Sequence, residues 1–148
     1  MRKQKFKVGD VFSIPLHLHL FAFGRVTPQY EFLEFFDITL SHLPNLTELQ
    51  QAGIVRVSYL VDMDALVTWE WKIFENLPYG LDEFRIQPFR IGDTIAVGTE
   101  VNNEGFIDVT SKFRPALIAE LDEIPWFRVY PKDLVVEKLI SVLVKNNL

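Results

Sequence analysis

The apolar residues of this sequence fall into short aromatic and β-branched runs that are separated by glycine, proline and asparagine. Such runs are typical of β-strands, and the residues between them favour turns. The pattern predicts strands over residues 11–16, 21–26, 30–38, 54–61, 69–74, 85–91, 94–97, 105–110 and 126–130. Because most of them follow one another through short connections, we expect mainly antiparallel β-structure, as a curved sheet or a small barrel.

Local turn signals mark two hairpins. Residues 16–20 connect the first two predicted strands. Pro15 cannot donate a ladder hydrogen bond, so it should end the first strand or place that strand at an edge. Asn102-Asn103-Glu104-Gly105 is the clearest turn signal in the chain, because asparagine and glycine tolerate positive φ. Both features indicate neighbouring antiparallel strands.

Helical signals are confined to three segments. Residues 44–52 contain good helix formers and are followed by Gly53, a typical C-terminal stop. Residues 115–121 begin with proline, as first helical turns often do. Near the C-terminus an apolar stripe repeats at helical spacing, through Val135, Val136, Leu139, Ile140 and Leu143. We therefore expect an α+β fold with a C-terminal α-helix over residues 131–146 that packs on the sheet.

The 148 residues suit one domain, and no linker or repeat divides residues 1–148. Residues 1–7 carry four bases and no acid, and we expect a flexible basic tail there. No secretory signal follows this tail, and the most apolar stretch is too short to span a bilayer, which predicts a cytoplasmic protein that does not act at a membrane. The chain has no cysteine, which excludes disulfides and thiolate metal sites.

Acidic residues are concentrated in the middle of the chain. Between Gln29 and Phe84 there are ten acids and two bases, a net charge of −8. This balance argues against nucleic-acid binding, which needs a positive surface. The stretch is either a solvated surface or a face that attracts a basic partner.

Candidate catalytic and metal-binding residues are few. His17 and His19 could share one face of a strand, but a metal needs three or four ligands and His42 is the remaining histidine. Asp62-Met63-Asp64 could hold Mg²⁺ beside a phosphorylated substrate, although a helix cap explains the same pattern. The sequence lacks a P-loop, a Rossmann fingerprint and a Gly-x-Ser-x-Gly elbow. We expect no enzymatic activity, no metal and no cofactor.

Aromatic residues crowd the first half of the chain. In a strand over residues 69–74, the two indoles of Trp69-Glu70-Trp71 would lie on one face. Most aromatic rings should be core, but an exposed ring beside the acids would be a protein-binding anchor.

The opening of the chain resembles the immunity protein 26 family of bacterial polymorphic toxin systems. The similarity lies in residues 8–16 (VGDVFSIPL) and 21–26 (FAFGRV), followed by the Phe-rich strand over 30–37. Residues 69–78 are loosely similar to the family's tryptophan-led middle segment. The chain departs from the family at residues 16–20, where a polar hairpin is usual.

The resemblance implies a protein that neutralises a cognate toxin domain by binding it. The acidic middle stretch would be steered to a basic toxin surface, such as that of a nuclease. For the interface we expect acids of the middle stretch with two aromatic anchors: Glu31, Glu34, Asp37, Asp62, Asp64, Glu70, Trp71, Tyr79, Asp82 and Glu83. Two alternatives stay open, a metal-dependent enzyme that uses Asp62 and Asp64, and a small ligand-binding β domain with no toxin partner.

Overall fold

The structure is a computed structural model, which describes residues 2–144. The strands are β1 (Asp10–Pro15), β2 (Phe21–Val26), β3 (Leu33–Phe36), β4 (Ile54–Val55), β5 (Leu60–Val61), β6 (Lys72–Asn76), β7 (Phe89–Ile91), β8 (Thr94–Ala96), β9 (Glu100–Val101), β10 (Ile107–Asp108), β11 (Phe113–Pro115) and β12 (Val129–Tyr130). The α-helices are α1 (Leu46–Ala52), α2 (Asp64–Val67) and α3 (Lys132–Leu139), and 3₁₀ turns span Val109–Ser111 and Ile118–Leu121.

Five strands form the main sheet, in the order β4-β3-β2-β1-β6, and every neighbouring pair is antiparallel. A three-stranded antiparallel sheet has the order β11-β8-β7, and β10 pairs antiparallel with β9. β12 and β5 pair in parallel. The α+β, mainly antiparallel fold is therefore confirmed. Within the described residues, β4 and β6 are the two edge strands of the main sheet.

The hairpin between β1 and β2 forms where the sequence predicts it. Leu18 and His19 occupy its tip with φ of 58° and 60°. The Leu20 N–H donates to the His17 carbonyl at 3.1 Å, which closes a two-residue turn. Two consecutive left-handed residues are the geometry of the tight turns that match strand twist. Such a conformation is strained for a leucine, because it has a Cβ.

Aromatic stacking fills the core beneath this hairpin. Phe12 lies opposite Gly24 in the β1–β2 register, and its ring stacks on Trp71 with centroids 5.6 Å apart and an interplanar angle of 5°. The C-terminal helix covers the same cluster with its buried stripe, Val135, Leu139 and Leu143. The predicted helix therefore packs on the sheet. It continues as a π-helix over Ile140–Val144, and predicted residues 145–146 lie outside the described residues.

Several predicted strands are shorter than the sequence pattern suggests. The predicted strand 54–61 is divided into two strands of two residues each, β4 and β5. The predicted strand 105–110 contains only β10, which is followed by a 3₁₀ turn. The apolar runs are present as the sequence shows them, but their backbones form strand pairs only where a partner strand lies alongside. Apolar side chains outside those points pack on loops and helices instead.

The indoles of Trp69 and Trp71 do not share a strand face, which corrects the expectation for residues 69–74. Trp69 has φ of 69° in the turn after α2, and 42% of its surface is exposed. Trp71 is only 2% exposed. Both residues precede β6, which begins at Lys72, so neither indole lies on a strand face.

The amino-terminal segment lies against the domain. The buried amide of Gln4 donates to the carbonyls of Leu66 and Trp71 at 2.7 and 2.8 Å and accepts from the Ile73 N–H at 3.1 Å. Phe6 packs against the core cluster. The expected flexible tail over residues 1–7 is therefore in contact with the domain at Gln4 and Phe6.

Gly24→Ala should destabilise the protein by about 2 kcal/mol, because overpacking a tight core costs 1–3 kcal/mol. An added Cβ would lie 2.4 Å from Cζ of Phe12, whose ring is held by Trp71. Gly80→Ala is the matched control, since its Cβ would be 3.7 Å from its nearest neighbour, and we expect a change within about 0.5 kcal/mol. Urea unfolding at constant m-value measures both. Equal stability of the two variants would contradict this account of the core.

Candidate protein-binding surface

The predicted site residues do not form one patch. Glu31 and Asp62 lie together around Tyr30, and Asp64 and Glu70 lie around Lys132. Glu34, Tyr79 and Glu83 surround the buried side chain of Arg25. Asp37, Asp82 and Trp71 belong to none of these three groups and lie apart from one another.

Backbone pairing assembles the first group. The Tyr30 N–H donates to the Ile107 carbonyl at 2.9 Å, and the Val61 N–H donates to the Glu31 carbonyl at 2.7 Å. The turn before β3 is therefore held between β10 and β5. This brings Asp108, at the end of β10, and Asp62, just after β5, to the same place as Glu31.

The electrostatics of this group are strongly negative. Burial raises the pKa of the Glu31 carboxyl, and the nearby Asp62 carboxylate raises it further. Burial also raises the pKa of the Tyr30 hydroxyl, with further contributions from Glu31, Glu104 and Asp108. Both ionised forms are disfavoured where like charges converge. Tyr30 lies among these acids. Because 37% of its surface is exposed, a partner can reach it.

The second group continues the first. The Asp64 N–H donates to Oδ1 of Asp62 at 3.0 Å, and Asp64 begins α2. The Lys132 ammonium pairs with the Glu70 carboxylate, and this hydrogen bond is the main cause of its raised pKa, followed by the charges of Glu70, Asp133 and Asp64. We call the combined surface the acidic face; its carboxylates are Glu31, Asp62, Asp64, Glu70, Glu104, Asp108 and Asp133.

The Asp62-Met63-Asp64 segment has a local structural role. Oδ1 of Asp62 accepts the Asp64 N–H, which forms an Asx-turn just before α2. The N-cap of α2 is Met63, which makes no side-chain cap hydrogen bond, so the expected cap by Asp62 or Asp64 is not formed. Within residues 2–144, no three side chains of His, Asp or Glu are arranged as a metal-binding group.

Glu34, Tyr79 and Glu83 contact Arg25, which is 3% exposed. Its Nε and Nη2 donate to the carbonyls of Leu77 and Pro78, both at 2.8 Å, and its guanidinium carbon lies 3.5 Å from the centroid of the Tyr79 ring. Nη1 reaches Oε1 of Glu83 at 3.4 Å. These contacts hold loop 77–83 on the main sheet.

The pKa shifts of this group reflect that arrangement. The hydrogen bond from the Gly80 N–H lowers the pKa of Glu83, and Arg25 lowers it further. Burial raises the pKa of Tyr79 and of Glu34, and for Glu34 the neighbouring Tyr79 hydroxyl and the Arg25 and Arg56 guanidiniums act in the opposite direction. Tyr79 and Glu83 therefore hold the loop around a buried cation, and Glu34 lies opposite that cation on β3.

The remaining predicted residues are scattered. Trp71 is stacked on Phe12 in the core, so it is removed from the interface as an anchor. Asp37 is exposed after β3, and its N–H donates to the Gly53 carbonyl. Asp82 is exposed in loop 77–83 with φ of 63°. Glu104, Asp108 and Asp133 join the acidic face from outside the acidic stretch, and no local signal in the sequence marks them.

The geometry defines a small α+β domain whose most distinctive surface is acidic. The family model for Immunity protein 26 matches residues 7–101, which is more than half of the chain, and the protein belongs to that family. Comparisons with curated proteins and with solved structures give no match. Among the described residues, no helix has the length and apolar character needed to cross a membrane.

Arg25→Lys should destabilise the protein by about 2 kcal/mol or more, because lysine cannot satisfy both carbonyls in one planar fork and leaves buried acceptors unpaired. Arg56→Lys, on an exposed side chain, is the matched control and should change stability by less than about 0.5 kcal/mol. Chemical denaturation at pH 7 measures both. An Arg25 variant as stable as the control would show that the guanidinium contacts are dispensable.

Glu31→Gln should stabilise the protein at pH 7 by about 0.5 kcal/mol, a small effect because solvent still reaches this half-buried carboxyl. The folded state raises the pKa of Glu31, so wild-type stability rises as protonation occurs on lowering the pH from 7. The advantage of the variant should therefore shrink toward the ordinary glutamate pKa. Glu123→Gln, on an exposed residue, serves as control, and thermal melts across this pH range give the comparison. A lower midpoint for Glu31→Gln at pH 7 would contradict the prediction.

Proposed function

We propose that this protein neutralises a cognate toxin domain of a bacterial polymorphic toxin system by binding it in the cytoplasm. The observation that carries the proposal is the match to the Immunity protein 26 family over residues 7–101. The acidic face supports it, because a carboxylate surface around an accessible tyrosine suits a basic protein partner. The fitting partner is a toxin with a basic substrate groove, such as a nuclease, since enzymes that grip phosphates are positively charged there.

The proposed mechanism is occlusion without turnover. The immunity protein would cover the toxin's active site or substrate groove, and its carboxylates would occupy positions that phosphates take in the substrate. No chemical step on the toxin is needed, and neither nucleic acid nor membrane takes part. Inhibition then depends only on the amount of complex formed.

Gene neighbourhood gives the first test and supplies the partner. A neighbouring gene for a large toxin with a variable C-terminal domain supports the proposal, and that domain becomes the binding partner. Toxin activity should then fall in proportion to added protein and reach zero at one equivalent, with a 1:1 complex in solution. Inhibition by substoichiometric amounts, or recovery of a chemically altered toxin, would contradict binding as the mechanism.

Charge reversal on the acidic face should slow association with that toxin domain. The double variant Asp64→Lys/Glu104→Lys changes two exposed acids of the face. We expect an association rate constant about tenfold lower at low salt, with a weaker salt dependence and little change in dissociation. Glu83 is not chosen, because it contacts Arg25.

Asp122→Lys/Glu123→Lys is the matched control, since it makes the same change in net charge at exposed residues outside the acidic face. Stopped-flow or biolayer kinetics over a salt series compares the two variants with the wild type. Equal association rates for both double variants would mean that the acidic face has no special part in recognition.

A further inference from the structure

A cleft of about 470 Å³ opens beside the acidic face, between the β1–β2 hairpin and α3. Pro15 and Trp71 lie at its base, and Val136 and Ile140 add apolar surface from the C-terminal helix. His17 and Glu70 line it on the side of the hairpin and of the turn after α2. The stem of a long side chain can bury apolar area against such a floor.

The mouth of the cleft is negatively charged. Asp133 and Glu137 are one helical turn apart on α3 and both line the cleft, together with Glu70 and Lys132. Three carboxylates and one ammonium leave a net charge of −2 with His17 neutral. Lys132 pairs with Glu70, while Asp133 and Glu137 form no ion pair with the other residues of the described segment 2–144. Both are exposed and available to a partner.

An apolar floor below two available carboxylates matches one kind of side chain. Arginine combines an apolar stem with a planar guanidinium that binds carboxylates through paired hydrogen bonds. Arginine is also among the residues that carry most of the binding energy at protein interfaces. Lysine shares the charge but lacks the planar fork.

The cleft is continuous with the acidic face, since Glu70 and Asp133 belong to both. On its other side stands the hairpin tip, where Leu18 is 84% exposed. A protein that contacts the acidic face can therefore reach the cleft and the tip in the same encounter. The wall of the cleft and the tip would then enclose the inserted side chain.

We propose that this cleft binds an arginine side chain of the partner protein, with the guanidinium between Asp133 and Glu137 and the stem on Val136 and Ile140. The proposal rests on the proposed function for the identity of the partner as a toxin domain. The arginine stem would not need to displace any side chain from the apolar base of the cleft. The guanidinium competes with Lys132 for the carboxylate of Glu70.

Two sets of substitutions should act in opposite directions. Asp133→Asn/Glu137→Gln removes the carboxylates and should raise the dissociation rate of the toxin complex at least tenfold. Lys132→Gln frees Glu70 and should lower the dissociation rate two- to fivefold. Opposite signs at neighbouring residues cannot come from a general loss of folding. Asp122→Asn/Glu123→Gln makes the same charge change as the first variant at exposed residues outside the cleft and should leave dissociation unchanged.

A small probe tests the cleft without the toxin. N-acetyl-arginine amide, titrated at millimolar concentration, should shift the backbone amide resonances around Glu70, Trp71 and residues 133–137, and the shifts should saturate. N-acetyl-citrulline amide, which is neutral but nearly isosteric, should not. Asp133→Asn/Glu137→Gln should abolish the arginine shifts, and Lys132→Gln should strengthen them.

The outcomes separate the two proposals. If wild type binds the toxin but the cleft variants dissociate at the wild-type rate, the arginine inference is overturned and the proposed function stands. If the toxin does not bind wild type, the proposed function fails, and the arginine probe alone decides whether the cleft recognises a guanidinium. Equal shifts with the arginine and citrulline probes would overturn the inference in either case.

Discussion

The buried guanidinium of Arg25 is the constraint on which the surrounding structure depends. A cation removed from water is costly unless hydrogen bonds and opposite charges replace its hydration. Here the carbonyls of Leu77 and Pro78, the Tyr79 ring and Glu83 do so, and every one of these groups comes from loop 77–83. The loop cannot move away from β2 without leaving the charge unpaired. Part of the acidic composition of residues 29–84 is therefore used inside the protein and is lost to any partner.

Two buried glutamines also satisfy backbone groups through side-chain hydrogen bonds, next to the short strands. The Gln29 amide donates to the Gln87 carbonyl at 3.0 Å and accepts from the Gln87 N–H at 2.8 Å, as a neighbouring strand would. Gln4 makes the corresponding contacts with Trp71 and Ile73 at the β6 edge. A side-chain amide carries one donor and one acceptor group, so it can satisfy backbone groups where strand pairing stops. This explains how strands of two or three residues suffice to hold the chain segments together.

Features set by local chemistry could be predicted from the sequence. The start of α1 is fixed by the reciprocal hydrogen bonds of Asn45 and Glu48, and its end by Gly53 at φ of 80°. The apolar stripe of α3 and the β1–β2 hairpin follow equally from nearby residues. The parallel pairing of β5 with β12 and the burial of Arg25 could not be predicted, because both depend on residues that are about 50 to 70 positions apart and carry no local mark.

The acidic face also combines residues that the local sequence marks with residues that only the tertiary fold brings there. Composition drew attention to Glu31, Asp62, Asp64 and Glu70, but it could not separate them from Glu34 and Glu83, whose neighbour Arg25 is contributed by another strand. It also missed Glu104, Asp108 and Asp133, which reach the face through the pairing of Tyr30 with Ile107 and of Asp62 with Tyr130.

These three carboxylates lie beyond residue 101, where the family match ends. The acidic face is thus built from two parts: carboxylates on the segment that the family shares, and carboxylates on the segment that follows it. Specificity is a difference between affinities for alternative partners, so the second part can change recognition while the shared scaffold keeps its core. The two parts meet at Tyr30, whose pKa is raised by burial and then by the charges of Glu31, Glu104 and Asp108. The half-buried Glu31 belongs to the first part, and burial and the Asp62 carboxylate raise its own pKa. Under the function proposed above, the charge held there at a cost to stability would serve recognition of the toxin domain.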